Sequence, residues 1–281
     1  MHRLYVLPTL LINIVIIAVP ALMTVALAFF QWDGISAPVF VGLDNFRDLW
    51  ADSVFWTALG NNVIWTVIFL TVPIGMGLLA ATMMLVARRG SNYFQVIYFL
   101  PVIIATAITA RVWQGMIYSP VTGVTGLLQR MGLDVPNPLT QTSSALYGIA
   151  VVDLWHWWGF LCVIFFAALR QVPSEQIEAA RVEGATFFQT IRYVLLPGIR
   201  PTITLMMIMT IIWSFLVFDF VYILTQGGPA FSSEVLSTFA YRSAFYDLAV
   251  GKAAAISVVI SLFGLVATVF YIRAQAGEFE E

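Results

Sequence analysis

The sequence predicts an all-α, polytopic membrane protein, and three observations carry that prediction. Of its 281 residues, 60% are hydrophobic and only 10% charged, with a mean hydropathy of +0.91. A soluble domain carries about 25% charged residues, so a soluble chain of this composition would lack the polar groups to cover its surface. Six apolar stretches are long enough for the roughly 20 residues a spanning helix needs: about 7–30, 57–86, 93–118, 144–168, 201–225 and 247–272. The basic residues also segregate, and their side sets orientation. With the N-terminus inside, Arg3, Arg88, Arg89, Arg170, Arg181, Arg192, Arg200 and Arg273 are cytoplasmic, against Arg47, Arg130, Arg242 and Lys252 outside. Eight against four places both termini in the cytoplasm.

The bulk numbers exclude other classes. A net charge of −2 gives no footprint for a nucleic-acid partner. Cys162 is the single cysteine, so neither an internal disulfide nor a CxxC site exists, and it is expected to pack in an apolar run. No metal-spaced or nucleophile–base cluster is seen, which argues against a membrane enzyme.

Taken in order, the first run (7–30) exceeds the 7–15 residues of a signal-peptide core and reads as an uncleaved span. Pro20, Pro73 and Pro101 predict kinks, which lipid tolerates where neighbours satisfy the freed carbonyls. Arg111 interrupts the third stretch. Between spans, 31–56 alternates aromatic and acidic residues, with Trp32, Trp50 and Trp56 suited to the headgroup level. Segment 119–143 carries a short helical run near Leu127 to Met131. Segment 226–246 opens on the turn signal Gly227-Gly228-Pro229, followed by an amphipathic run from Glu234 to Phe245. Each is expected to be a surface helix or a docking surface for an external partner.

The cytoplasmic segment 169–200 stands apart. Ser174 reads as an N-cap with Glu175 and Glu178 in the first turn, where the helix dipole favours negative charge. Gly184 reads as the stop. Thr186 to Gln189 is a capping box opening a second helix that Pro197-Gly198 ends, and Pro201 suits the first turn of the next span. The spacing therefore predicts two short helices joined at a glycine elbow, with small residues Ala179, Ala180 and Ala185 allowing close approach.

Here a resemblance becomes specific. Glu178, Ala179, Ala180, Gly184, Val194, Leu196 and Pro197 fill the E-A-A, Gly, aliphatic, L-P pattern of permease subunits of ABC importers, with Val194 where isoleucine is usual. VGLDNF (41–46), FLP (99–101), EAARVEGA (178–185) and LTQGGPAFSSEVL (224–236) are similar to the maltose- and glycerol-phosphate-type carbohydrate permeases. The Gly-Gly-Pro stretch points to the first of the two paired subunits. The resemblance implies a bacterial or archaeal cytoplasmic membrane, a second homologous permease, two copies of a cytoplasmic ATPase and an extracytoplasmic solute-binding protein. It implies that the elbow is the coupling helix seated in the ATPase, anchored by Glu178. No GxxxxGK[ST] run occurs in the chain, so ATP and Mg would be used by the partner and no cofactor bound here.

Ionisable residues at membrane depth cost about 2.5–3.5 kcal/mol on insertion scales and mark function by default. Three qualify: Arg111, Asp153 and Asp219. One reading is a structural ion pair between Arg111 and an aspartate. The other is a sugar site, in which carboxylates accept hydroxyl hydrogen bonds and aromatic faces cover the ring. Asp153 and Trp157 share a helix face at i,i+4; Thr106 and Tyr222 add polar groups. By the resemblance, Thr106, Asp153, Trp157, Phe218 and Asp219 fall near the sugar-lining positions of the maltose-type relatives. Aspartates stand where asparagines are expected, so the sugar need not be maltose. His156 is expected to pack, and Asn61 and Asn62 to tie helices together. The function expected is carbohydrate translocation by an ATP-driven importer. The alternatives are another solute such as glycerol phosphate, or an ion-coupled secondary transporter using the two aspartates.

Overall fold

The computed structural model describes residues 7–87 and 90–276; Arg3, Arg88, Arg89 and the end of the acidic tail lie outside the described residues. Among the described residues five helices are long and apolar enough to cross a membrane: Pro8–Leu27, Ser53–Val86, Ala145–Leu169, Arg200–Leu224 and Val250–Phe270. The third stretch is no straight helix. It forms Ser91–Ile103 and Thr106–Ile117, bent by 92° at Ile104 and Ala105, where the sequence leads one to expect a proline kink. Counting that pair as one, the spans number six. The second begins at Ser53 rather than near 57, and the fifth breaks after Leu216 before resuming as Asp219–Leu224.

The second and fourth spans form the centre, packing along most of their length, with Ser91–Ile103 laid on the fourth. That last crossing depends on Gly159: a Cβ there would sit 1.7 Å from the Tyr98 carbonyl oxygen. Only a glycine lets the two backbones approach so closely. Cys162 is buried between the second and fourth spans, its thiol 3.7 Å from the Met84 sulfur. The sixth span packs on the fifth, on the second half of the first, and on helix Leu236–Phe245. That helix starts two residues later than Glu234; Leu236 and Phe239 are its buried face.

The segment joining the first two spans holds the strand pairing found among the described residues: Phe30–Gln31 and Val39–Phe40 run antiparallel, before helix Asp44–Ala51. Asn45 donates to the Ala28 and Phe30 carbonyls and ties that helix to the hairpin. Lys252 meets Asp52 at 2.7 Å, joining the start of the sixth span to that of the second. In 119–143 the helix is Val124–Arg130, three residues before the expected run.

Candidate functional site

Both broken spans end at one cavity. Where the third span bends, the Ile104 carbonyl loses its helical partner, and His156 on the fourth span donates Nε2–H to it at 3.1 Å. Where the fifth breaks, the Ser214 carbonyl accepts from Asn62 Nδ2 at 2.7 Å, and the Val217 carbonyl accepts from the Ser237 hydroxyl. Side chains from neighbouring elements thus satisfy backbone groups that lipid could not, which is the condition for irregular backbone at membrane depth. His156, expected to pack, does so with an added polar duty.

The space between the breaks measures about 440 Å³. It is lined by Thr106, Asp153, Trp157, Phe218 and Asp219, so five of the six residues read from the sequence as a sugar site meet at one cavity. Tyr222 does not line it. Its ring stacks on Phe218 at 5.1 Å and its hydroxyl lies 3.2 Å from that of Tyr246, in an aromatic cluster with Tyr241 at the cavity's flank. Trp65, Phe69, Trp213, Thr210 and Ser214 line the wall without having been anticipated. Trp65 and Phe69 stack in parallel at 5.2 Å, and Trp213 stands edge-on to Trp157 at 4.6 Å. The i,i+4 spacing of Trp65 and Phe69 was visible in the sequence, but that spacing equally describes core. On its open side Trp213 and Leu216 are 38% and 55% exposed.

Asp153 and Asp219 make no hydrogen bond or ion pair with other described residues. The expected partner is elsewhere: Arg111 is exposed, donates to Gln114 at 2.9 Å, and sits with Ile108 and Met116 in a separate hollow. The structural ion pair is therefore not formed. The remaining donor supply is modest, since the Thr210 and Ser214 hydroxyls donate to carbonyls one turn earlier. What faces the cavity is two carboxyl groups, the His156 ring engaged with the Ile104 carbonyl, a few hydroxyl lone pairs and indole and phenyl faces. That set suits a ligand rich in hydroxyl donors with flat apolar faces.

The segment at the other end of the bundle forms the elbow. Its first helix is Ser174–Val182; Pro173, not Ser174, is the N-cap residue, and no side chain caps the helix. Gly184 has φ +81°; its N–H donates to the Arg181 carbonyl and that of Ala185 to the Ala180 carbonyl, a Schellman closure. The capping box forms as expected: Thr186 N–H donates to Gln189 Oε1 at 2.7 Å and Gln189 N–H to Thr186 Oγ1 at 3.4 Å. The second helix runs through Pro197 and Gly198 rather than stopping at them, and the fifth span starts at Arg200. Glu178 and Ala179 are exposed and Ala180 is half-buried; Val194 packs inward beside buried Leu195, Leu196 is half-buried and Pro197 is exposed. Val182, Phe188 and Tyr193 are 89%, 78% and 68% exposed. Among the described residues Glu178 forms no ion pair.

Residues 73–274 match the model of a family described as the binding-protein-dependent transport system inner membrane component. The chain belongs to that family. As a permease it is 35% identical over 268 residues to the probable ABC transporter permease YurN of Bacillus subtilis, covering 93% of this chain and 91% of that one. It is 27% identical to the trehalose/maltose transport permease MalF of Thermococcus litoralis, covering 96% and 92%. In fold the permease is similar to a chain of a bacterial ABC transporter that imports the acidic polysaccharide alginate. The match to its complex with an alginate pentasaccharide-bound periplasmic protein has a TM-score of 0.83 at 25% identity, covering 96% and 91%. The permease is thus an inner-membrane, non-enzymatic component of an ABC transporter.

Proposed function

We propose that this permease forms half of the translocation path of an ATP-driven carbohydrate importer. The observation that carries the reading is the cavity shared by two helix breaks, where aromatic faces and two carboxylates with no partner among the described residues meet. Its chemistry fits a polyhydroxylated ring, and the trehalose/maltose and alginate systems among the similar proteins carry saccharides. A second homologous permease completes the path, against the side where Trp213 and Leu216 are exposed. An extracytoplasmic binding protein delivers the cargo, as the periplasmic protein of the alginate complex supports. Two ATPase subunits use ATP and Mg in trans, because the chain holds no phosphate-cradling loop. They seat on the 169–200 elbow, with Glu178, Ala179 and Ala180 at the contact and Gly184, Val194, Leu196 and Pro197 fixing its shape. Both termini are cytoplasmic.

The test is reconstitution with the partner subunits. Glu178→Lys is expected to insert normally yet lose co-purification of the ATPase; assembly and transport at the wild-type rate would remove Glu178 from the contact. Asp153→Ala is expected to abolish uptake in an intact complex. The unpaired aspartates also favour one other reading, a carrier driven by a cation gradient. Uptake by proteoliposomes lacking any ATPase would establish it, and strict dependence on ATP and partners excludes it.

A further inference from the structure

Building on the carbohydrate reading, we infer that the cavity selects by charge: its cargo is a saccharide without carboxylate, sulfate or phosphate groups, and Asp153 and Asp219 are the specificity-determining pair. Both carboxylates line the same 440 Å³ space, and no lysine or arginine does. Nor do the described residues hold an unengaged cation near that end. Arg242 lies 3.0 Å from Glu234, Lys252 2.7 Å from Asp52 and Arg47 3.0 Å from Asp44. Arg111 is bonded to Gln114 in its own hollow, and Arg130 donates to the Gly126 and Val121 carbonyls. An anionic sugar entering here meets two carboxyl groups and no facing lysine or arginine, in a space walled by Trp65, Phe69, Trp157 and Trp213, where charge is poorly screened. A neutral sugar donates its hydroxyls to the same oxygens, and an amine-bearing sugar adds charge to the bond. The preference belongs to these side chains and not to the fold, because a transporter of the same fold imports an acidic polysaccharide.

The test is equilibrium binding to the assembled transporter in nanodiscs at low ionic strength, with two matched sets of probes. One set is glucose, glucosamine and glucuronate; the other is maltotriose, glucosamine trimer and trigalacturonate. In whichever set binds, the uronate is expected to bind about tenfold or more weakly than the neutral sugar, and the amine at least as tightly. The isosteric pair Asp153→Asn and Asp219→Asn together is expected to bring the uronate to the neutral sugar's affinity and to weaken the amine. Uronate binding equal to neutral binding in the wild type overturns the inference while leaving the carbohydrate reading standing. An unchanged charge preference in an assembled double variant overturns the assignment to these two residues. Should the double variant fail to assemble, the wild-type ranking decides. Binding of none of the six by an assembled complex counts against the carbohydrate reading itself, and the inference falls with it.

Discussion

Replacing Asn62 with alanine is the sharpest test of how the cavity's broken helix is held. Asn62 is fully buried; its Nδ2 donates to the Ser214 carbonyl at 2.7 Å and its Oδ1 accepts from Leu236 N–H at 2.9 Å. Two magnitudes compete. Side-chain hydrogen bonds between membrane helices average about 0.6 kcal/mol, because freed groups find other partners. Leaving a buried group unpaired instead costs about 1–3 kcal/mol. The second applies here. The Ser214 carbonyl lies in the last turn before the break and Leu236 N–H in the first turn of its helix, so neither has an intrahelical partner to return to. Two orphaned groups then cost about 2–6 kcal/mol, or a Tm lower by roughly 4–12 °C at about 2 °C per kcal/mol for a chain of this size. The assay is thermal unfolding of the purified permease in detergent. Asn13→Ala serves as control, since Asn13 bonds only to the Thr9 carbonyl on an exposed face. A fall of less than about 2 °C for Asn62→Ala would mean that the break is held by the packing around it and that these bonds are incidental.

Four further outcomes are expected. Gly159→Ala forces the fourth span away from Tyr98 and should cost about 3 kcal/mol or more through overpacking, read as lost monodispersity on size exclusion. Gly60→Ala, with nothing within 4 Å of its Cβ, should behave as wild type. Gly184→Ala has equally open space but φ +81°, so it should cost about 1 kcal/mol of local strain; hydrogen exchange of 180–186 should quicken without a fall in Tm. Burial lifts the Glu234 carboxyl above its ordinary 4.5, and Asp247 adds to the rise, while the Thr238 hydroxyl and Arg242 pull against it. The folded chain holds that proton more tightly than the unfolded one. The stability tied to it is thus full below pH 4.5 and lost as pH rises through the folded value. Glu234→Gln should flatten that step in a Tm-against-pH series.

What was legible in the sequence was whatever neighbours along the chain decide. Span count follows from the length of the apolar runs, and the Thr186 and Gln189 box and the Gly184 stop rest on contacts three to five residues apart; the box and the stop stand where the pattern puts them. The helix breaks rest on distant partners. Nothing at Val217 or Phe218 announces an interruption, since no proline or glycine occurs there; the fifth span opens because Asn62, 152 residues away, takes the Ser214 carbonyl. The bend after Ile103 is similar, with Pro101 nearby but His156 supplying the compensating bond across 52 residues. The cavity exists only once those breaks form, so its aspartates could be named and its Trp65 and Trp213 walls could not. Arg111 misled for the same reason: at membrane depth a lone arginine invites an acidic partner, but after the 92° bend its helix carries it to a local glutamine.

The elbow has a consequence for how tightly another protein can hold it. Its angle is set by four hydrogen bonds contained within residues 180–189, the Schellman pair and the reciprocal box. None of them waits for a binding surface. A loop that must be ordered on contact loses about 1–2 kcal/mol of backbone freedom per residue, and that loss is subtracted from affinity. Here the shape is already in place. On the seating proposed above, the exposed Val182, Phe188 and Tyr193 would be presented to the ATPase as preset knobs, and a push on them would reach the fifth span through a joint whose shape is already fixed.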